Sequence, residues 1–355
     1  MAVLFMDSFD LYSDGAGSTA DLQEAGWQTY FSPIVSTTEG RYGGGALKLD
    51  CWTSTPVVSL SLNIAASTAI VQAAFKSGLL FYSNNREFLI FTNNSGADAV
   101  AGLYLQLDGS VKVCNSLGVC VATSAAGVIH EGAWQYLEVK VVSNNGAGSV
   151  IVRIDEVEVI NINGIDTSIS ATDIDLIRFY PGSISHPSAG YMYWDDILIL
   201  DDSGPAPQNN FVGDLRISVL LPNADTATSA WTRSGGAADY EMIDDVVPGD
   251  HDGDGTYLYH STATGKSLFD FEAITGTPYF ICCVGVAVAA KKSDGGTKSM
   301  RAYIDSGGTV SNGSTWSIGT DYQTWRHIWG LNPNGSTEWL TADVDALQAG
   351  VEVVS

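Results

Sequence analysis

Three aspartates in the second half of the chain have the spacing that opens a calcium loop. Asp250, Asp252 and Asp254 stand at every second position, and Gly255 follows them. An EF-hand loop has oxygen ligands at positions 1, 3 and 5, glycine at 6 and a bidentate glutamate at 12. Position 12 is Ser261 here, so we predict that this is not an EF-hand. An acidic surface turn and a loosely held structural Ca²⁺ on the three aspartates both remain open.

The five cysteines do not have the spacing of a zinc site, because the sequence contains no CxxC pair. Cys114 and Cys120 flank a short turn and could face each other across a hairpin, as a disulfide or as two thiols. Cys51, Cys282 and Cys283 are expected to be small buried hydrophobic residues. The sequence also lacks a P-loop and a G-x-G-x-x-G stretch. We therefore expect no cofactor beyond the structural Ca²⁺ considered above.

The aromatic residues suggest a second kind of site. Nine Trp and 15 Tyr could build a platform on which sugar rings stack. The densest cluster is "YMYW", Tyr191–Trp194, although aromatics that alternate along strands more often pack inside a sandwich. A glycan site would lie on loops at one end of the first domain. The sequence does not indicate which residues would stack on the sugar.

Charge limits the partners of this 355-residue chain. Asp and Glu number 40 and Lys and Arg 16, which gives a net charge of −24. Such a surface repels phosphate, so we expect neither a nucleic-acid nor a membrane partner. The N-terminus has no pattern of a signal peptide, and no apolar run approaches the ~18 residues that cross a bilayer. We expect synthesis in a cytoplasm.

The clearest domain boundary is a linker rich in Pro and Asn at residues 201–213. The prediction is a first domain over residues 1–200 and a second over 214–355. After Trp134, polar and apolar residues alternate with the period of a half-buried strand. Many short strands of this kind predict an all-β protein of two antiparallel β-sandwich domains.

Two stretches of the second domain carry separate expectations. One short helix is expected near 341–349, with Thr341 as N-cap and Gly350 after its end. The apolar run "YFICCVGVAVAA", Tyr279–Ala290, is too continuous for a half-exposed strand. It is expected to be central in its sheet or to be buried by another subunit.

Four stretches of the first domain resemble the concanavalin-like jelly roll of the laminin-G and pentraxin type. The hairpin of that family usually carries Asp-Gly, where this chain has Asp155-Glu156. The resemblance implies the sandwich fold over residues 1–200. The stretches are "DSFD" (Asp7–Asp10), "RYGGGALKLD" (Arg41–Asp50), the "LEVKV…GSVIVRIDEVEVI" hairpin and "YWDDILIL" (Tyr193–Leu200).

Some concanavalin-like sandwiches are glucanases, which need two carboxylates about 5–9 Å apart across a cleft. They place these carboxylates on one strand as Glu-x-Asp-x-x-Glu or a near variant. The nearest candidates are Asp155, Glu156 and Glu158 in one strand region and Asp195 and Asp196 in another, and neither set fits. No G-x-S-x-G elbow is present either. We therefore predict no catalytic residues and no enzyme.

A longer resemblance covers residues on both sides of the linker. Three stretches carry it: Tyr191–Asp245, Asp252–Leu258 and Trp339–Val354. They resemble virion structural proteins of tailed bacteriophages, which join a laminin-G-like domain to a second β-rich domain. The resemblance implies a non-enzymatic decoration, collar, tail or fibre protein on the virion exterior, made in the cytoplasm of the bacterial host. Its partners would be other virion proteins and copies of itself.

Two alternatives to this structural role remain. One is a carbohydrate-binding adhesin or receptor-binding protein, which would hold a host-surface glycan at the rim of the first sandwich. The weaker one is a glycoside hydrolase. The phage resemblance supplies no catalytic residue for either, and it makes the Asp-Gly-Asp stretch a connector between strands.

Overall fold

The computed structural model describes residues 3–30, 33–50, 57–61 (backbone only), 66–78, 86–93, 98–169, 173–181, 190–249 and 251–355. The chain forms two compact units, Met1–Ile217 and Ser218–Ser355. The predicted all-β class is confirmed, because antiparallel sheets make up both units. No helix in these described ranges is long and apolar enough to cross a lipid bilayer.

The first unit is a sandwich of two antiparallel sheets, with strands numbered in chain order. The first sheet has the order β13-β12-β11-β6-β15-β4-β3, and β1 also pairs with β15. Its strands are β1 Val3–Asp7, β3 Ile34–Ser36, β4 Ala46–Asp50, β6 Thr68–Ser77, β11 Trp134–Val142, β12 Gly148–Ile154, β13 Val157–Ile165 and β15 Tyr191–Leu200.

The second sheet of this unit has the order β10-β9-β8-β7-β14-β5-β2. Its strands are β2 Gln28–Tyr30, β5 Val57–Ser61, β7 Arg86–Asn93, β8 Asp98–Leu105, β9 Val111–Asn115, β10 Cys120–Thr123 and β14 Leu176–Phe179. The core between the sheets contains a cluster of aromatic rings around Trp194, which contacts Phe75, Phe88 and Phe179. Most of the stabilisation of the sandwich comes from burial of these inward-facing side chains.

The alternation along β11 decides which side chains face the core. Leu137 and Val139 lie in the hydrophobic core between the sheets. Tyr136 and Glu138 therefore point to the opposite side of the first sheet, which we call its outer face. The turn after β12 holds Asp155 and Glu156 at positive φ (48° and 66°), so these residues adopt the backbone that glycine usually supplies in such hairpins.

Three local features of the first unit extend the predictions. A short helix, α1 (Ser18–Glu24), was not predicted. Only Ser18 and Leu22 of its seven residues are buried, and two buried positions are too few to show the hydrophobic periodicity of a helix. Cys114 and Cys120 face each other across β9 and β10 and form a disulfide. Residues 201–213, predicted as a linker, lie within the first unit.

The second unit contains one larger sheet and two small ones. The larger sheet has the order β16-β19-β25-β21-β22 with β23 on β21, and the pairs β17-β18 and β20-β24 form the small sheets. The strands are β16 Pro222–Ser229, β17 Thr232–Arg233, β18 Leu258–Tyr259, β19 Lys266–Phe271, β20 Val284–Ala290, β21 Ser299–Ser306, β22 Thr309–Asn312, β23 Trp316–Ser317, β24 Gln323–Trp329 and β25 Gln348–Val353.

The helices of the second unit are short. A 3₁₀ turn spans Tyr240–Met242, and the helix predicted at 341–349 forms only as α2, Thr341–Asp345. Leu340, not Thr341, is its N-cap residue. The shorter helix leaves room for β25, whose pairing with β19 and β21 places the chain end in the centre of the larger sheet.

Strand β20 differs from the prediction that it is central in its sheet. In the described chain it pairs with β24 alone, and its residues are half-buried or, at Ala287, exposed. Val284, Val286 and Val288 pack against the core of the second unit. Strand β20 therefore has one face packed against the core and one edge that is unpaired in the described part of the chain. Burial by another subunit, the other half of the prediction, stays a prediction.

Candidate functional site

The outer face of the first sheet carries polar and aromatic side chains in register across its strands. Gln72, Glu138 and Arg153 are opposite one another on β6, β11 and β12, and we call them the polar row. Two of its members are fully buried although they are polar, since Gln72 and Glu138 have no exposed surface. Buried polar side chains on the face away from the core mark this side of the sheet as a candidate site.

A bulge in β15 brings two carboxylates to the same face. The register between β15 and β6 shifts between Asp195 and Leu198, and Asp196 has a φ of 49°. A bulge inserts an extra residue and re-aims its side chain, and a non-glycine residue in this conformation carries some backbone strain. Asp195 and Asp196 are 5 % and 2 % exposed. Two consecutive buried carboxylates result.

These two carboxylates line a pocket of about 340 Å³, a size within the range of small-molecule sites. The side chains at its wall carry three carboxylates and one guanidinium, with backbone from a run of glycines. The lining residues are Asp10, Thr37, Tyr42, Gly43, Gly44, Gly45, Asp195, Asp196, Arg216 and Ile217.

Close backbone packing at the glycine run forms one wall of the pocket. The Gly45 N–H donates to Asp10 Oδ1 at 2.8 Å. A Cβ added to Gly44 would lie 1.9 Å from that same oxygen, and one added to Gly45 would lie 1.9 Å from the Phe9 carbonyl oxygen. A side chain at Gly44 would therefore push the Asp10 carboxylate away from the pocket, and one at Gly45 would require the Phe9 backbone to move.

Backbone donors hold the buried pair in place. Asp195 accepts the Arg41 N–H on Oδ2 at 2.8 Å and the Asp196 N–H on Oδ1 at 2.7 Å. Asp196 accepts the Ile217 N–H on Oδ1 at 2.7 Å. Its other oxygen, Oδ2, is buried and has no hydrogen-bond partner within the described residues. A buried carboxylate oxygen without a partner is costly, and a proton or a molecule that reaches it removes that cost.

Burial gives the carboxyl groups of Asp195 and Asp196 raised and different pKa values. It raises the pKa of Asp195 to about 8, and repulsion from Asp196 raises that pKa further while the backbone donors oppose it. Burial raises the pKa of Asp196 to about 6, against the Ile217 N–H and the positive charge of Arg41. The pair therefore holds about one proton at neutral pH, so it offers both a donor and an acceptor.

An aromatic and basic row crosses the outer face beside the pocket. Trp134, Lys76, Tyr193 and Lys48 are opposite one another on four strands, and we call them the aromatic–lysine row. The Lys76 ammonium lies 4.4 Å from the centre of the Tyr193 ring. Tyr193 precedes Asp195 by two residues on the same face of β15, so the row lies about 7 Å from the pocket along the strand.

The structure divides the residues of "YMYW" between the core and the outer face. Met192 and Trp194 are fully buried in the core, whereas Tyr193 lies on the outer face with its neighbour Tyr191. Among the described residues, Tyr191 and Tyr193 therefore lie on the sheet face. Successive side chains of β15 point to opposite faces of the sheet, so the four residues of the cluster are divided between the core and the outer face. The register with β4 and β6 then places Lys48 and Lys76 beside the tyrosine rings.

The predicted calcium loop is only partly described, because Asp250 lies outside the described residues. Asp252 accepts the Thr256 N–H at 2.9 Å and the Thr256 hydroxyl at 2.8 Å. Asp254 pairs with Lys291 at 2.7 Å and accepts the Tyr322 hydroxyl at 3.2 Å. The described part of the chain has no group of three His, Cys, Asp or Glu side chains that could hold a metal ion. The calcium site stays a prediction.

The carboxylates of the hairpin after β12 do not gather around a pocket. Asp155 accepts the Tyr136 N–H at 2.7 Å and thereby supports the turn. Glu156 accepts the Asp214 N–H at 3.2 Å, and Glu158 is exposed beside Asn161. Sequence reasoning also missed Asp10 and Arg216. The signal that could have found them was "DSFD", since pairing of β1 with β15 brings it beside "WDDI".

Comparisons with known proteins concern the fold of the sandwich. No family model matches the sequence, and no curated protein matches it. An alginate lyase is 14% identical, with a TM-score of 0.40 over 55% of this chain and 95% of that one. An alginate lyase from a Chlorella virus is 10% identical, with a TM-score of 0.41 over 56% and 99%. A carbohydrate esterase of the Shiga toxin-encoding bacteriophage phi24B is 17% identical, with a TM-score of 0.36 over 55% and 99%.

These similar structures overturn one prediction. The chain was predicted not to be an enzyme, and that prediction is contradicted: solved structures with a similar sandwich include alginate lyases, so the sandwich is no argument against an enzyme. At these identities the similarity shows the fold alone, and we carry no activity over from it. The physical reason for the correction lies in Asp195 and Asp196. They were rejected as candidates from their spacing, yet burial gives them the raised pKa values that acid–base groups need.

Proposed function

We propose that the first unit recognises a carbohydrate on the outer face of its first sheet, with one sugar residue in the Asp195–Asp196 pocket. The observation that carries the proposal is Asp196 Oδ2. This carboxylate oxygen belongs to a side chain that is only 2 % exposed, lines the pocket and has no hydrogen-bond partner among the described residues. A buried acceptor of this kind is costly unless a ligand uses it.

The chemistry of the pocket suits a molecule with many hydroxyl groups. Ionised Asp196 accepts a hydrogen bond from a sugar hydroxyl group. At neutral pH Asp195 keeps its proton while Asp196 is mostly ionised, so the same wall holds a donor and an acceptor. Trp134, the half-buried ring at one end of the aromatic–lysine row, offers a flat face on which the next sugar of a chain could stack, whereas Tyr193 is buried between Lys76 and Lys48.

The test is retention of the full-length protein on a panel of immobilised neutral and acidic polysaccharides. We expect the wild type to be retained and Asp196→Asn to bind at least about tenfold more weakly, because a hydrogen bond to a charged group is lost. Glu131→Gln, which changes an exposed carboxylate of the same unit, is the matched control. Mass spectrometry of the retained polysaccharide shows whether it is also cleaved. Equal retention of wild type and Asp196→Asn, or no retention on any polysaccharide, contradicts the proposal.

We propose as a second function that the chain is a component of a bacteriophage particle, where the carbohydrate site would face the host surface. The observation in its favour is strand β20, whose apolar residues stay half-buried and whose second edge is unpaired within the described chain. An apolar strand with a free edge can add to a strand of a neighbouring subunit. The net charge of −24 suits a protein that is displayed at high density without binding DNA.

Mass spectrometry of purified particles tests this second function. We expect peptides of the chain at a constant ratio to the capsid protein after repeated density-gradient purification. Antibodies against the first unit should label the outside of intact particles. If the chain stays in the soluble fraction of the lysed host, the proposal of a particle component is wrong, whereas carbohydrate recognition is unaffected.

A further inference from the structure

The polar row on the outer face of the first sheet is covered by a segment of the same chain. Residues 211–217, which we call the strap, run across the face without forming a strand. Val212 N–H donates to Gln72 Oε1 at 3.0 Å and Gly213 N–H donates to Glu138 Oε1 at 3.1 Å. The side chains of the sheet thus act as acceptors for successive amides of the strap.

The same pattern continues towards the pocket. Asp214 N–H donates to Glu156 Oε1, and Ile217 N–H donates to Asp196 Oδ1. The Asp214 carboxylate forms a two-pronged ion pair with the Arg41 guanidinium. Four amides of the strap and one carboxylate are therefore bound by side chains of the sheet and its loops, as an extended ligand would be.

The strap is held by polar contacts and buries little of itself. None of its seven residues is buried, and Asp214 and Arg216 are exposed. The Phe211 ring lies 5.3 Å from the Arg153 guanidinium and the Arg216 guanidinium lies 4.8 Å from the Tyr42 ring. The strap therefore lacks the apolar burial that makes a segment inseparable from its domain.

The side chains beneath the strap are imperfectly satisfied by it. Gln72 Nε2 is buried without a hydrogen-bond partner in the part of the chain that the structure describes, as is Asp196 Oδ2. Burial under the strap also raises the pKa of Glu138, against the positive charge of Arg153. A backbone offers only one N–H per residue, so it leaves donors and acceptors of the polar row unused. A chain of sugar hydroxyls, each of which donates and accepts, matches that row better.

We propose that the strap is a releasable cover: it detaches from the sheet without unfolding the sandwich and exposes a groove that runs from the pocket along Gln72, Glu138 and Arg153. The strap and a polysaccharide chain then compete for the same row. This competition rests on the proposed carbohydrate function, whereas release of the strap does not. Arg216 and Ile217 belong to both the strap and the pocket wall, so release also widens the pocket.

Hydrogen exchange of the full-length protein tests the release. We expect the amides of 211–217 to exchange at least about tenfold faster than those of β11 beneath them. Asp214→Ala removes the ion pair with Arg41 and should speed strap exchange about three- to tenfold without changing β11. Phe211→Ala, which removes the ring from Arg153, should act in the same direction. Asn210→Ala, an exposed change just before the strap, is the control and should change nothing.

Exchange of the strap and β11 at one common rate overturns the proposal, and so does an unchanged strap in Asp214→Ala. The second readout is affinity for a polysaccharide that the wild type retains: Asp214→Ala should bind it several-fold more tightly, and equal or weaker binding overturns the competition. If no polysaccharide is retained by either protein, the carbohydrate function fails, while fast strap exchange still supports the release.

Discussion

The two aspartate-rich regions of this protein have opposite environments. Asp252 and Asp254 lie in an acidic turn, where Thr256 and Lys291 hold their carboxylates and lower the pKa of each. Asp195 and Asp196 lie in a bulged strand, where burial raises the pKa of each. The aspartates of the turn have the spacing of a known metal loop, and those of the strand do not. It is nevertheless the strand that holds the carboxyl groups with raised pKa values.

This comparison shows that the environment of a carboxylate decides its chemistry more than its spacing does. A carboxylate with an exposed cationic partner is already stabilised in its charged form and gains little from a ligand. A buried carboxylate with an unused oxygen loses solvation and regains it only from a proton, a cation or a hydroxyl. Four predictions test this contrast between the two regions.

The largest effect is expected from Asp195→Asn. A folded-state pKa of about 8, above the ordinary value near 4, means that the folded state binds the proton more tightly. The free energy of unfolding of the wild type should therefore fall as pH rises from 4 to 8, whereas that of Asp195→Asn should lack this contribution. The difference between the two proteins should change by at most about 5 kcal/mol over this range. Denaturant unfolding of the full chain across this range measures the difference, with Glu131→Gln as the control. A difference that does not vary with pH would show that Asp195 is ionised throughout.

Asp196→Asn should follow with a smaller effect. Asparagine keeps an oxygen for the Ile217 N–H and removes the buried charge. Because the pKa of Asp196 is raised to about 6, the variant should gain about 2–3 kcal/mol over the wild type, most of it between pH 4 and 6. The same unfolding series reports it. If Asp196→Asn is less stable than the wild type above pH 6, then Arg41 and Arg216 stabilise the ionised Asp196 carboxylate by more than its burial destabilises it.

Asp254→Asn should act in the opposite sense and more weakly. Its lowered pKa means that the ionised form stabilises the fold above the ordinary pKa and that this stabilisation is lost as pH falls. The variant should be slightly less stable than the wild type at pH 7 and should match it in acid. Asp321→Asn, an exposed change next to Tyr322, is the control. A gain in stability at pH 7 would contradict the comparison.

The smallest expected effect is that of calcium. With Asp252 engaged by Thr256 and Asp254 by Lys291, we expect calorimetric titration with millimolar Ca²⁺ to give no saturable heat. The concentration covers the affinity of weak calcium modules. A saturable heat that disappears in both Asp252→Asn and Asp254→Asn would establish the calcium site and reverse the contrast between the two regions.

Much of the fold could be predicted from local patterns, whereas the site could not. The alternation after Trp134 predicted both strands of the β11–β12 hairpin, and the turn between Cys114 and Cys120 allowed the disulfide that forms. Helix α1 escaped because seven residues are too few to show a period. The pocket could not be predicted because its acids come from opposite ends of the unit Met1–Ile217, and nothing in "WDDI" alone reveals a bulge.

The alternation of side chains, the positions of turns and the acidity of the surface can be predicted from the amino-acid sequence, because these properties depend on composition and on neighbours along the chain. Which aspartates lose their contact with water depends on the folded chain. Pairing of β1 with β15 brings Asp10 to Asp195 and Asp196, and the return of residues 211–217 across the sheet buries Glu138. Burial depends on contacts between distant segments, and burial is what turns an ordinary carboxylate into a candidate functional group.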